Sequence, residues 1–155
     1  MSSSDVRTIA NRAVGTDPQG LSPQSIQGEI AMSSSDVRTI ANRLVQLFNA
    51  NEQDTIIAEL YGPEIVSVEA VAMPGKPAEI QGLQALAEKY AWWYGAFEVH
   101  GSRTEGPFMH GTDRFAVIYW MDVTNRETQE REQMKEVGIY TVAEGKIVRE
   151  EFFYT

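Results

Sequence analysis

The chain of 155 residues contains no cysteine and only two histidines, His100 and His110. Without cysteine, thiol catalysis, disulfide frameworks and Cys-ligated zinc are excluded, and the chain is compatible with a cytoplasmic location. The two histidines have no carboxylate at helical spacing, so they do not predict a metal site. A glycine-rich phosphate loop and a Gly-x-Ser-x-Gly nucleophile elbow are also missing. We therefore expect no metal, no cofactor and no serine hydrolase chemistry.

Long hydrophobic runs and an excess of positive charge are absent as well. No stretch approaches the roughly 18 apolar residues of a membrane span, so we expect no membrane partner. Acidic residues outnumber basic residues by 22 to 13, and the resulting net charge of −9 repels nucleic-acid phosphates. Hydrophobic residues make up 43% of the chain, which at this length predicts a soluble globular domain with its own core. A small neutral or cationic ligand remains possible.

A perfect internal duplication marks the beginning of the chain. Residues 1–12 recur identically at 32–43, and the two copies diverge immediately afterwards. Because repeat proteins drift while they keep their period, one exact partial copy favours a recent duplication or a cloning scar. We interpret residues 1–31 as this duplicated start with a linker-like segment, and residues 32–155 as the domain. The alternative is a functional N-terminal arm, with a short helix over residues 5–13 that docks where the second copy would.

Helical periodicity is clear after Met32. Capping side chains begin at Ser33, and apolar residues then follow at helical spacing, which predicts an amphipathic helix that ends near Asn51. A short helix over residues 52–60 leads into a β-rich segment at 65–71, and a third helix begins at Gly82. The apolar positions of the first helix are Val37, Ile40, Ala41, Leu44 and Phe48.

The rest of the chain alternates with a period of two and predicts strands at 97–105, 114–124, 131–142 and 146–154. A two-residue turn at Glu144 and Gly145 would pair Val142 with Ile147 and Tyr140 with Arg149. A turn centred on Gln129 would pair Asp122 with Glu136, two like charges on the outer face. The side of the sheet that faces the helices then carries Phe115, Val117, Tyr119, Met121, Val123, Val137, Ile139, Thr141, Val148, Glu150, Phe152 and Tyr154.

Apolar residues are also predicted on the opposite side of the sheet. Trp120, Tyr140 and Phe153 would form an exposed patch there. We therefore expect a homodimer through this outer face.

The order helix, helix, strand, helix and four strands, with the closing phrase at residues 144–148, resembles the superfamily of nuclear transport factor 2, ketosteroid isomerase and the SnoaL-like polyketide cyclases. Trp92-Trp93 and the segments 98–100, 122–124 and 149–154 are similar to a bacterial SnoaL-like branch. The resemblance implies an α+β fold in which a curved antiparallel sheet wraps around three N-terminal helices. It also implies a cone-shaped domain with an internal apolar pocket for a hydrophobic small molecule. Members of this superfamily often dimerise through the outer face of the sheet.

The resemblance also bears on the chemistry. The ketosteroid isomerases keep a proton-shuttling carboxylate near the end of the first strand, where this chain has Glu69. Their second acidic group would fall near Val137, which offers no polar atom. The cyclases place an acid-base aspartate where this chain has Phe152, and the nearest carboxylate on the same face is Glu150. Glu69 and Glu150 are therefore our candidate catalytic residues.

A carboxyl group in an apolar pocket has its charged form disfavoured, which suits a general base that moves a proton between carbon atoms. Such a base needs a donor for the enolate oxygen. Because adjacent helical residues point about 100° apart, we expect one of the two tryptophans to line the pocket. The candidate ligand-binding residues are Tyr61, Trp92, Trp93, His100, Tyr119, Phe152 and Tyr154.

Two functional hypotheses remain open at this point. The first is a cofactor-free acid-base isomerase or cyclase that acts on a hydrophobic ketone or a polyketide-like ligand. The second is a non-catalytic small-molecule binding protein or dimeric accessory domain with the same pocket.

Overall fold

The computed structural model describes residues 23–154, with side chains from residue 36 onward. The first copy of the duplicated segment, and with it the arm considered above, lies outside the described residues. The helices are α1 (Pro23–Asn49), α2 (Gln53–Leu60) and α3 (Leu83–Ala96). The strands are β1 (Tyr61–Val68), β2 (Glu79–Gln81), β3 (Phe97–His110), β4 (Arg114–Asn125), β5 (Arg131–Ala143) and β6 (Lys146–Tyr154).

The helices follow the predicted apolar pattern but differ at one boundary. α1 begins at Pro23, upstream of the start predicted at Ser33, and proline suits the first position of a helix because its φ is already helical. The apolar stripe of α1 is buried and packs against β3 and β4. Among the described residues, no helix is both long enough and apolar enough to cross a membrane.

Six strands form one open sheet in the order β2-β1-β6-β5-β4-β3. The sheet is mixed, because β1 runs parallel to β6 while the other neighbours are antiparallel. The prediction of a fully antiparallel sheet was therefore wrong at this one pairing. The α+β class is confirmed, with the three helices of the described region on the inner face of the sheet. This pairing sets the end of β1 beside the end of β6, where the candidate site lies.

A β-bulge changes the register between β5 and β6. Val142 pairs with Ile147 as predicted. The bulge between Thr141 and Val142 then shifts the register by one residue for all pairs from Thr141–Arg149 to Glu136–Tyr154. Tyr140 consequently pairs with Glu150, and the predicted partner Arg149 pairs with Thr141 instead. The bulge keeps Glu150 on the inner face of the sheet, opposite a buried tyrosine.

The register between β4 and β5 differs by three residues from the prediction. Asp122 pairs with Gln133, and Glu136 pairs with Tyr119, because the connecting turn closes where the Asn125 amide donates to the Glu130 carbonyl. An odd shift of register turns a strand over, so every side chain on β5 exchanges faces relative to the prediction. The inner face of β5 therefore carries Met134, Glu136, Gly138, Tyr140 and Val142 instead of the predicted Val137, Ile139 and Thr141.

The same correction removes two features of the outer face. The predicted like-charge pair of Asp122 and Glu136 does not form. Asp122 instead accepts two hydrogen bonds of 2.8 Å from Arg131. Tyr140 is only 2% exposed on the inner face, so it does not belong to the outer apolar patch. That patch is reduced to Phe153, which is 53% exposed, and Trp120, whose ring lies beneath two cationic side chains.

Gly138 is required by the packing of two tyrosines on the inner face. A methyl group at this position would lie 2.8 Å from Tyr140 Oη and 3.1 Å from Tyr119 Cε2. Both rings are buried, so we expect Gly138→Ala to lower the free energy of unfolding by about 1–2 kcal/mol in urea denaturation. Gly101→Ala is the control, because a Cβ there meets no atom within 4 Å. Equal effects of the two substitutions would contradict this account.

Candidate active site

A cavity of about 320 Å³ lies between the helices and the inner face of the sheet. Its wall is mainly aromatic and apolar, with a polar end where β1, β5 and β6 meet α3. The polar end is formed by Glu69, Lys89, Glu136 and Tyr154. The apolar wall includes Phe48, Met73, Trp92, Trp93, Met121, Met134 and Phe152.

Glu150 is the centre of a hydrogen-bond network beneath this polar end. Its side chain is 0% exposed and does not line the cavity. Tyr61 Oη donates to Oε2 at 2.5 Å, and Ser67 Oγ donates to Oε1 at 2.7 Å. Tyr90 Oη lies 3.2 Å from both carboxylate oxygens. Each oxygen of this buried carboxylate is therefore satisfied by protein hydroxyl groups.

Lys89 connects the buried network to the cavity. Its ammonium group donates to Ser67 Oγ at 2.8 Å and lies 3.5 Å from Glu150 Oε1. It also forms a close ion pair with Glu69 Oε1. The other oxygen of Glu69 accepts a hydrogen bond of 3.2 Å from Tyr154 Oη. Glu69 is thus held between a lysine from α3 and a phenol from β6.

Glu136 is a second carboxyl group at the polar end, and the strand register explains its position. It pairs with Tyr119 on β4 and with Tyr154 on β6, so one row of inward side chains crosses three strands and reaches Glu69. Glu136 forms no side-chain hydrogen bond with any residue that the structure describes. Burial raises the pKa of Glu136 to about 7, with a further contribution from the charge of Glu69. Close to neutral pH it can therefore donate a proton as well as accept one.

Buried tyrosines supply neutral hydroxyl groups beneath the polar end of the cavity. Burial and the neighbouring charge of Glu150 raise the pKa values of Tyr61 and Tyr90 well above 10. Tyr119 Oη and Tyr140 Oη lie 2.6 Å apart, and burial raises the pKa values of these phenols too. All four remain protonated at physiological pH.

Most of the predicted site residues lie together in the structure. The cavity is lined by Glu69, Tyr61, Trp92, Trp93, Tyr119, Phe152 and Tyr154. Glu150 lies beneath the cavity wall rather than on its surface. His100 lies elsewhere, on an exposed part of β3, where its Nε2 is 2.7 Å from Thr124 Oγ1.

Sequence reasoning missed two residues at the polar end. Glu136 was assigned to the outer face because of the register error on β5. Lys89 was not among the candidates, although it follows Leu86 by three residues and therefore lies on the same side of α3. Within the described region, no group of three or more acidic or histidine side chains is arranged to hold a metal ion.

The comparisons with known proteins agree with this architecture. A profile of the SnoaL-like domain matches residues 35–154. A Mesorhizobium loti protein, provisionally called a SnoaL-like polyketide cyclase, is 37% identical, with a TM-score of 0.67 over 81% of this chain and 98% of its own. None of the curated proteins matches.

More distant structures share the fold alone. A Bacillus subtilis protein provisionally called an isomerase is 14% identical, with a TM-score of 0.62 over 79% of this chain and 88% of its own. TerC, co-crystallised with polyporic acid, is 18% identical, with a TM-score of 0.54 over 82% of this chain and 89% of its own.

The cavity and these relatives together support a small-molecule pocket protein. The profile match extends from the middle of α1 to the end of β6 and includes every residue of the polar end. The chain therefore belongs to the SnoaL-like domain family.

Proposed function

We propose that this protein is a cofactor-free acid-base isomerase or cyclase that acts in the cytoplasm on a hydrophobic ketone or polyketide-like ligand. One observation carries the proposal: two carboxyl groups, Glu69 and Glu136, line the polar end of a single aromatic cavity on either side of Tyr154. Two acidic groups held in different environments are the usual arrangement for paired acid and base roles.

The two carboxyl groups take different parts in the reaction. Glu69 removes a proton from the carbon next to the carbonyl group, and the electron pair of the broken C–H bond forms an enolate. Glu136, protonated at and below neutral pH, donates a hydrogen bond to the developing enolate oxygen. Glu69 then returns its proton to a different carbon, or the enolate carbon bonds to a second carbonyl carbon of the ligand, whose C=O π electron pair moves to the oxygen, which takes the proton from Glu69. Each step balances without an external oxidant or reductant.

Two findings from relatives support this assignment. The 37% identical protein of Mesorhizobium loti carries the provisional name of a SnoaL-like polyketide cyclase. TerC, which has the same fold, was crystallised with polyporic acid. A ligand with aromatic rings suits a cavity whose wall combines aromatic and aliphatic side chains.

The proposal is tested by deuterium exchange at the α-carbon of 2-tetralone, a planar ketone that needs no knowledge of the natural substrate. The protein in deuterated buffer should exchange the α-protons at least 100-fold faster than buffer alone, as followed by proton NMR. Saturation-transfer NMR should show that the same ketone binds. Binding without accelerated exchange would contradict the enzymatic proposal.

A non-catalytic binding protein is the second candidate, and one contact favours it. Lys89 already forms a close ion pair with Glu69, and this pair competes with a substrate proton for the same carboxylate. On this alternative, hydrophobic ketones bind in the cavity and are released unchanged.

We also propose that the protein is a homodimer joined through the outer face of the sheet. Phe153 is 53% exposed there, and a partner would remove its ring from water. Light scattering at micromolar concentration should give the mass of a dimer, and Phe153→Glu should shift it toward the monomer. A monomer in the unaltered protein would count against this proposal.

A further inference from the structure

We propose that Lys89 and Glu150 are positioning residues for Glu69: Glu150 holds the lysine, and the lysine holds the carboxylate that faces the ligand. This inference rests on the proposed function, because it describes how the proposed base is oriented. It gives Glu150 a role that differs from direct proton transfer.

The burial of Glu150 excludes direct contact with a ligand in the cavity. Its side chain is 0% exposed, and Oε2 accepts the hydroxyl groups of Tyr61 and Tyr90. Oε1 accepts from Ser67 and Tyr90 and lies 3.5 Å from the ammonium nitrogen of Lys89. Because protein groups engage both of its oxygens, Glu150 can influence the ligand only through the protein side chains that it contacts.

Three protein oxygens hold the ammonium group of Lys89 at the polar end of the cavity. A lysine ammonium has three N–H donors. Three acceptor oxygens surround the Lys89 nitrogen, one each from Glu69, Ser67 and Glu150. The ammonium also lies 4.6 Å from the ring centroid of Phe152, where a cation is attracted to the aromatic face. These contacts hold the ammonium beside Glu69 Oε1, so Lys89 orients that carboxylate.

The hydroxyl group of Ser67 lies between Glu150 and Lys89 and forms a hydrogen bond with each. Its hydroxyl hydrogen goes to Glu150, which leaves its oxygen to accept from Lys89. The ammonium is therefore held from β1 and β6 while its own helix, α3, lies across the cavity wall. Glu69 receives the ammonium on Oε1, and Oε2 meets only the longer hydrogen bond from Tyr154. Oε2 is thus the oxygen presented to the substrate proton.

The orientation of a base matters because small errors in position are costly, and a displacement of 1 Å can reduce a rate by about 100-fold. Lys89→Met keeps the length of the side chain and removes its charge. We expect this variant to lower kcat for 2-tetralone exchange at least 10-fold, with KM within about threefold.

Two conservative variants separate positioning from stability. Lys89→Arg retains the charge and should restore most of the kcat that Lys89→Met loses. Glu150→Gln preserves the volume and the acceptor oxygen but loses the charge that faces Lys89, so we expect a smaller fall in kcat at unchanged KM. The matched controls are Lys135→Met and Glu151→Gln on the outer face, and both should stay within twofold of the unaltered protein.

The outcomes distinguish this inference from the function on which it rests. If Glu69→Gln abolishes exchange while Lys89→Met and Glu150→Gln exchange normally, the positioning role is wrong and the proposed function stands. If Glu69→Gln exchanges normally, Glu69 is not the base and the positioning role is wrong with it, whereas binding without accelerated exchange in the unaltered protein overturns the proposed function.

An NMR measurement tests the geometry even in a protein that does not exchange the ketone. The ammonium resonance of Lys89 should be protected from solvent exchange in the unaltered protein and lost in Glu150→Gln. An unchanged resonance in Glu150→Gln would overturn the role of Glu150.

Discussion

Glu69→Gln is expected to lower the rate of deuterium exchange at the α-carbon of 2-tetralone by about 10²–10⁴-fold, the usual contribution of a general base. Glutamine has nearly the same shape and can still accept the hydrogen bond of Tyr154, so the cavity is preserved. What the variant lacks is an oxygen basic enough to take the proton. The effect should therefore appear in kcat, with KM for the ketone close to its original value.

The control for this prediction is Glu64→Gln, an identical chemical change on the exposed part of β1. That variant should exchange the ketone at the unaltered rate. If Glu69→Gln and Glu64→Gln exchange equally fast, Glu69 is not the base. A loss of exchange that appears only as a higher KM would assign Glu69 to binding.

Glu136→Gln is expected to stabilise the protein by about 2–3 kcal/mol at pH 8 and to have almost no effect at pH 4. Burial and the charge of Glu69 raise the pKa of Glu136 from 4.5 to about 7, so the folded protein holds this proton more tightly than the unfolded chain. The resulting stability is fully present below about pH 4.5 and is lost as the pH rises through 7. Because one pKa unit is worth about 1.4 kcal/mol, a neutral glutamine should recover most of the lost free energy.

Urea denaturation at several pH values measures this effect directly. The stability difference between Glu136→Gln and the unaltered protein should grow between pH 5 and pH 8. Glu132→Gln, an exposed position on the same strand, should show no such trend. A constant difference across this range would mean that Glu136 is ionised in the folded protein. In exchange assays, the decline of the rate above pH 7 should disappear in Glu136→Gln, since its amide cannot ionise.

Local patterns predicted the elements that depend on a single face of one segment. The stripe from Val37 to Phe48 on α1 has helical spacing, and burial of one side of a helix leaves that spacing in the sequence. Alternation on β4 and β6 likewise predicted the inner positions of Tyr119 and Phe152. These predictions hold because each needs only the period of one element.

Pairing between strands could not be predicted with the same accuracy. A turn placed at Gln129 was wrong by an odd number of residues, and that error moved Glu136 from the inner to the outer face. The bulge between Thr141 and Val142 has no clear signal in the sequence, yet it sets the partner of Glu150. The candidate site was therefore found only in part.

The sequence by itself determined the α+β order of elements except for the short strand β2, the inward face of Glu150 and, through the family resemblance, the position of Glu69. Only the tertiary structure decided what these carboxylates do, because their partners come from distant segments. Lys89 reaches Glu69 across the packing of α3 against β1, and Glu136 joins them through a register fixed by a turn. A pattern along one strand specifies which face a side chain takes, while its ion-pair and hydrogen-bond partners depend on how the strands and helices assemble.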